Sequence, residues 1–126
     1  MKKVLRSTYV DFVLENNLLT ATFKKGLRID LETAKEIVAT RLKFTDAKII
    51  PVLILNEGVI SMDKAARDYL ASEDGTKGVK AAAIVLRSTF GSMLGNFFLK
   101  VNTPEMPVKI FYDTTKAIHW LNKFIS

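Results

Sequence analysis

Two short and mainly apolar runs, at 49–55 and 79–86, constrain this 126-residue chain more than any other feature. The first run is apolar throughout, and the second contains Ala81, Ala82 and Ala83 in succession. A strand without a polar side is covered on both faces, and such strands usually belong to parallel sheets with helices packed against them. Because helical patterns alternate with these runs, the sequence predicts an α/β fold built on a parallel sheet.

The first part of the chain predicts an antiparallel hairpin. Apolar side chains alternate at 9–14 and at 18–24, which is the period of a strand with one buried face. Asn16 and Asn17 lie between the two runs, and asparagine tolerates the positive φ angles of a two-residue turn. We expect this hairpin to add an antiparallel edge to the sheet.

Four later segments repeat their apolar residues at helical spacing. Asp30, Ser61, Asp113 and a serine or threonine at 88–89 precede them and are expected to cap the first free amides. The resulting order is β-β-α-β-α-β-α-β-α, in one layered domain that spans residues 1–126. We expect a mostly parallel five-stranded sheet with the antiparallel hairpin at its N-terminal side. The pattern leaves open whether helices cover one face of this sheet or both.

Composition and charge argue against several classes of function. The chain has no cysteine and one histidine, so it offers no disulfide, no Cys-ligated zinc and no histidine cluster for a metal. The formal charge is +6, but the lysines are spread out and are not interleaved with aromatics as an RNA-binding sheet requires. No stretch approaches the roughly 18 apolar residues of a membrane span. We therefore expect a cytoplasmic protein without cofactor, nucleic-acid partner or integral membrane association.

Catalytic motifs are not recognisable in this sequence. The segment at 91–95 lacks the spacing of a nucleophile elbow, and the segment at 74–78 lacks the residue order of a phosphate-binding loop. His119 falls on the polar side of the last predicted helix and has no carboxylate near it in sequence. The sequence therefore favours a protein that is not an enzyme, with no catalytic residue to assign.

Polar residues follow the predicted parallel strands, at the edge where ligands of α/β sheets usually bind. The candidate ligand or anion edge consists of Asn56, Glu57, Arg87, Ser88 and Asp113. Serine and aspartate at such positions are also explained by helix capping alone. An enzyme that acts at this edge through Glu57, Arg87 and Asp113 is the least favoured alternative.

The predicted third helix, which begins at 88–89, carries more apolar surface than packing on a sheet requires. The candidate residues for an apolar ligand or a dimer surface are Phe90, Met93, Phe97, Phe98 and Leu99. Two interpretations stay open for this helix. Gly91 and Gly95 favour close packing on the sheet, whereas the surplus apolar surface favours a second copy of the chain or a small apolar ligand.

The element order, with Ser61 ahead of the second predicted helix, resembles the STAS domain family typified by SpoIIAA, an anti-sigma factor antagonist. The segments at 66–73 and 95–100 are similar to those of small uncharacterised bacterial SpoIIAA-like proteins. The resemblance implies a non-enzymatic regulatory or protein-binding module in which Ser61 is a phosphoacceptor that switches partner binding. The expected partner is another protein or a second copy of the chain. A carrier or sensor of a small apolar or lipid-like ligand is the alternative.

Overall fold

The structure is a computed structural model that describes residues 2–86 and 106–125. These residues form eight strands and three helices. In chain order they are β1 (Lys2–Arg6), β2 (Val10–Glu15), β3 (Leu18–Phe23), β4 (Arg28–Ile29), α1 (Leu31–Thr45), β5 (Ile50–Asn56), β6 (Ser61–Met62), α2 (Lys64–Ala71), β7 (Val79–Val85), β8 (Val108–Phe111) and α3 (Thr114–Asn122).

Six strands form one sheet in the order β1-β2-β3-β5-β7-β8. The pairs β1·β2 and β2·β3 are antiparallel, and the pairs β3·β5, β5·β7 and β7·β8 are parallel. The predicted α/β class, with an antiparallel N-terminal hairpin on a parallel sheet, is confirmed. The sheet has one strand more than the expected five because Lys2–Arg6 forms the outer strand β1. This strand is mostly exposed and basic, so it lacks apolar alternation, and its charges suit a sheet edge.

The turn between β2 and β3 has the predicted geometry. Asn16 and Asn17 have φ angles of 54° and 61°, which are the left-handed values of a two-residue hairpin turn. Glu15 pairs with Leu18 directly beside this turn. The two asparagines therefore set the register that turns Val10 and Phe12 toward the core.

One face of the sheet, which we call the α1 face, packs against α1 and α2. Phe12, Ala21 and Val52 of the sheet form a buried cluster with Ile37 of α1 and Ala66 of α2. Helix α1 begins as predicted, because the Asp30 side chain accepts a hydrogen bond from the Thr33 amide at 2.8 Å. The apolar stripe of α1, which includes Ala34, Ile37 and Phe44, thus packs on this face.

The opposite face, which we call the α3 face, packs against α3. Leu53, Ala81 and Ala83 of the sheet form a second buried cluster with Ala117 and Leu121 of α3. Helices therefore cover both faces of the sheet, which decides the question that the sequence pattern left open. None of the helices in the described ranges is long and apolar enough to cross a membrane.

The prediction that Ser61 caps the second helix is wrong, because α2 begins later. Its N-cap is Asp63, whose side chain accepts a hydrogen bond from the Ala66 amide at 2.8 Å. Ser61 belongs to β6, which pairs in parallel with β4. The backbone around Ser61 is drawn into this small second sheet, since the amides of Ile60 and Ser61 donate to the Leu27 carbonyl at 2.8 and 3.4 Å. The chain is therefore still extended at Ser61.

Candidate functional site

The predicted ligand edge begins at Asn56, the last residue of β5. Its side-chain oxygen accepts hydrogen bonds from the amides of Gly58 at 3.0 Å and Val59 at 2.9 Å. The amide of Glu57 donates to the Phe23 carbonyl at 3.1 Å. Asn56 therefore holds the turn that leads from β5 toward β6, a local role that short polar side chains often have in turns.

Asp113 lies at the same edge but follows β8, and β7 separates it from β5. Its carboxylate accepts hydrogen bonds from the amides of Thr115 and Lys116 at 2.8 and 3.2 Å, so it caps α3 as predicted. Arg87 and Ser88, the other members of the predicted edge, lie outside the described residues. The described part of this edge thus consists of a turn and a helix cap.

Ser61 is exposed on the two-stranded sheet of β4 and β6. It is the register partner of Arg28, which is also exposed. Paired residues on neighbouring strands have their side chains on the same face, so the Ser61 hydroxyl and the Arg28 guanidinium share one surface. Ser61 is accessible to solvent at a basic position, although it is not part of a helix terminus.

The residues predicted for an apolar ligand or dimer surface are not among those that the structure describes. They are Phe90, Met93, Phe97, Phe98 and Leu99. His119, by contrast, lies on α3 and is exposed, as its place on the polar side of the predicted helix indicated. Within the described ranges, no group of three or more His, Asp or Glu side chains is arranged to hold a metal ion.

An apolar cavity of about 160 Å³ lies on the α1 face of the sheet. Val52 and Ile54 of β5 and Ala82 and Ile84 of β7 contribute to its floor, and Ile37 of α1 contributes to its wall. The described lining residues are apolar or glycine apart from three. Those three are Arg41, Asn56 and Thr76.

Two of these three polar side chains are occupied by local hydrogen bonds. Asn56 holds the turn after β5, and the Thr76 hydroxyl donates to the Ser72 carbonyl at 2.8 Å. Arg41 differs because it carries a charge into the cavity wall. Arg41 is only 7 % exposed, although arginine is almost never fully buried without a partner.

The Arg41 guanidinium is held by backbone oxygens of the segment that joins α2 to β7. It donates to the Lys77 carbonyl at 2.7 Å and to the Gly75 carbonyl at 3.0 Å. Lys24 forms an ion pair with Asp11 and Lys64 with Asp68, and neither pair involves Arg41. Burial lowers the pKa of the Arg41 side chain from its ordinary value because a desolvated charge is disfavoured.

The position of Arg41 in the sequence indicates burial, although a charged side chain normally faces solvent. Arg41 follows Ile37 by four residues and Val38 by three, so it continues the buried stripe of α1. Leu42, the next apolar residue along the helix, is only half-buried. The spacing of Arg41 from the apolar residues of α1 is therefore the sequence feature that points to its burial.

Comparison with known proteins places this chain in a family without an established function. No curated protein matches the sequence. A solved structure of an uncharacterised protein from the DUF3478 family, with a SpoIIAA-like fold, from Shewanella loihica PV-4, is 17 % identical and has a TM-score of 0.53. The match covers 96 % of this chain and 92 % of that chain, and it confirms the SpoIIAA-like fold. A family model described as a domain of unknown function, DUF7793, matches residues 12–125, and the chain belongs to that family.

Proposed function

We propose that this protein is a non-enzymatic binding module of SpoIIAA-like fold, and that the cavity on the α1 face holds a small apolar ligand. The cavity itself is the observation that carries the proposal. It measures about 160 Å³ and is lined mainly by aliphatic side chains such as Val52, Ile54 and Ile84. This choice favours the ligand carrier over the phosphorylation switch among the two functions that the sequence suggested.

The size and chemistry of the cavity support this ligand class. An apolar cavity of about 150 Å³ stays free of water and binds benzene, so a volume of about 160 Å³ accommodates a ring or a short acyl chain. Burial of such a ligand gains roughly 25 cal/mol for each Å² of apolar surface removed from water. Pockets of this kind, with few polar groups, are typical of small-molecule sites.

Methyl-detected NMR tests the proposal with octanol as an uncharged probe. We expect octanol to shift the methyl signals of Val52 and Ile54, which line the cavity. The methyl signals of Leu53 and Leu121 serve as the internal control, because these residues pack on the α3 face. The absence of any shift up to the solubility limit of octanol would exclude an apolar ligand site.

A matched pair of variants tests whether octanol binds on the α1 face. Ala82 lines the cavity, and its neighbour Ala83 packs against α3. Ala82→Leu fills part of the cavity and should weaken octanol binding at least tenfold, whereas Ala83→Leu should leave it within about twofold in the folded protein. Equal effects of the two variants on binding would contradict the proposed location.

A second candidate function is the phosphorylation switch at Ser61. It is favoured by the exposure of Ser61 and by its register partner Arg28. A phosphoserine carries roughly two negative charges and three acceptor oxygens, so an arginine on the same surface would pair with it and change the surface offered to a partner protein.

Native mass spectrometry of the protein from its own host tests this second function together with self-association. Covalent extra mass that maps to Ser61 would support the switch, and a mass of two chains would support a homodimer. The variants Ser61→Asp and Ser61→Ala should then differ in their association with a captured partner. Identical association of both variants would exclude the switch.

A further inference from the structure

Arg41 is a buried cation that interacts electrostatically with the Tyr69 phenol, and among the described residues no carboxylate forms an ion pair with it. Its two hydrogen bonds go to the Gly75 and Lys77 carbonyls, which are neutral dipoles. A guanidinium has five N–H donors, so these two bonds do not use its full capacity. Burial of a charge is costly unless that charge is paired and hydrogen-bonded. The two carbonyls hold the guanidinium in place but do not neutralise its charge.

The position of Arg41 connects this charge with the cavity. The guanidinium lies against the turn after α2, where a Cβ added to Gly78 would come within 3.4 Å of one of its nitrogens. The turn thus restrains Arg41 from one side, and the side chain forms part of the cavity wall. The described wall also contains Ile37, Val38 and Leu70, together with Thr76, whose hydroxyl donates to the Ser72 carbonyl. A restrained cation among mainly apolar described lining residues matches an amphipathic anion by charge and by hydropathy.

We infer that the ligand of this cavity is an apolar monocarboxylic acid whose carboxylate pairs with Arg41 while its tail lies over Val52, Ile54 and Ala82. This inference rests on the proposed function, because it names the chemistry of the ligand for the same cavity. The planar guanidinium matches a carboxylate with parallel hydrogen bonds, which a lysine would not provide. The carboxylate would also neutralise the buried charge.

The decisive comparison uses octanoate and octanol at neutral pH on the unmodified protein. The two probes share an apolar tail and differ in their charge. We expect octanoate to bind at least tenfold more tightly than octanol, because a hydrogen bond to a charged group contributes about 1.5 kcal/mol or more and every 1.4 kcal/mol is tenfold. Equal binding, or tighter binding of octanol, overturns the inference about Arg41 and leaves the apolar site intact.

A matched pair of arginine variants assigns the preference to its residue. Arg41→Met removes the charge but retains a long, unbranched side chain. It should therefore abolish the preference for octanoate over octanol. Arg67→Met is the control, because Arg67 also donates to a backbone carbonyl, that of Met62, and is not among the cavity-lining residues. If Arg41→Met fails to fold, the comparison of the two probes on the unmodified protein still decides.

The outcomes separate the inference from the proposed function. If neither probe binds, the apolar site and the inference both fail. If the methyl groups that line the cavity contact Phe90 or Phe97 in the absence of ligand, and neither probe disrupts those contacts, a segment of the chain itself fills the cavity. The proposed function and the inference then both fail. If both probes bind but Arg41→Met and Arg67→Met behave alike, only the assignment to Arg41 fails.

Discussion

The two faces of the sheet pack against their helices with side chains of different size. On the α3 face, Ala81 and Ala83 oppose Ala117, and all three are fully buried. Small side chains on both sides let a helix approach a sheet closely, which leaves little space between them. On the α1 face, the larger side chains of Phe12 and Phe44 stack at 6.0 Å, and a cavity remains beyond them.

In the proposed function, this difference assigns stability to the α3 face and ligand binding to the α1 face. Consecutive side chains of a strand point to opposite faces of the sheet, so Leu53 packs on the α3 face while Val52 and Ile54 line the cavity. A tightly packed face tolerates few changes of volume, whereas a face with a cavity has room for a ligand. We expect substitutions on the two faces to differ in stability even when they are neighbours in the sequence.

The largest expected effect comes from truncating the packed face. Leu53 is 2 % exposed in the α3 cluster, and Leu53→Ala should lower the free energy of unfolding by about 2–5 kcal/mol. Ile54 is half-buried at the cavity, and Ile54→Ala should cost about 1 kcal/mol, because its side chain has already lost packing partners. Urea denaturation with a shared m-value measures both. Equal losses would show that the two faces are packed alike.

Adding volume should give the next largest difference. Ala83→Leu forces extra carbon atoms between β7 and α3 and should destabilise the protein by about 1–3 kcal/mol. Ala82→Leu places the same atoms in the cavity and should change stability by less than about 0.5 kcal/mol. The thermal midpoint of each variant, compared with the unmodified protein, checks this pair. A larger loss for Ala82→Leu would mean that the α1 face has no room.

Loss of a helix cap should destabilise the two faces by similar amounts. Asp63 caps α2 on the α1 face and Asp113 caps α3 on the other. Replacement of either by alanine should cost about 1 kcal/mol, since each leaves first-turn amides without a partner. Ser61→Ala should stay within about 0.5 kcal/mol because Ser61 caps no helix. A loss for Ser61→Ala as large as for Asp63→Ala would move the start of α2 back to Ser61.

The smallest effect concerns acid stability on the α1 face. The hydrogen bond from the Thr33 amide holds the pKa of Asp30 below its usual value. Its contribution is therefore present above the unfolded pKa of about 3.9 and is lost as the pH falls through the lower folded pKa. Asp30→Asn keeps a good cap but does not titrate, so its unfolding should depend less on pH below about pH 4. Parallel pH profiles would contradict a role for Asp30 in acid stability.

Much of the fold was predictable because its patterns are local. The alternation around Asn16 and Asn17 predicted the hairpin, and the capping positions Asp30 and Asp113 were identified correctly. Strand β1 was missed because an exposed, basic edge strand has no apolar period. Its partner β2 supplies the hydrogen bonds that make it a strand.

The candidate site was far less predictable than the fold. Ser61 had the right residue type for a cap, but its backbone pairs with β4, a contact between segments about thirty residues apart. Arg41 was passed over because a charged residue normally marks the solvent side of a helix. Its burial depends on the carbonyls of Gly75 and Lys77, which only the folded chain brings to α1.

The apolar and turn patterns of the sequence predicted the hairpin, the buried strands of the parallel sheet and the helices that alternate with them in the described residues, because hydrophobic period and turn chemistry act between residues that are close along the chain. The tertiary structure alone decided that helices cover both faces, that a cavity lies on the α1 face and that Arg41 is buried in its wall. Those features depend on which side chains meet across elements and on how well their volumes match. No local pattern carries that information.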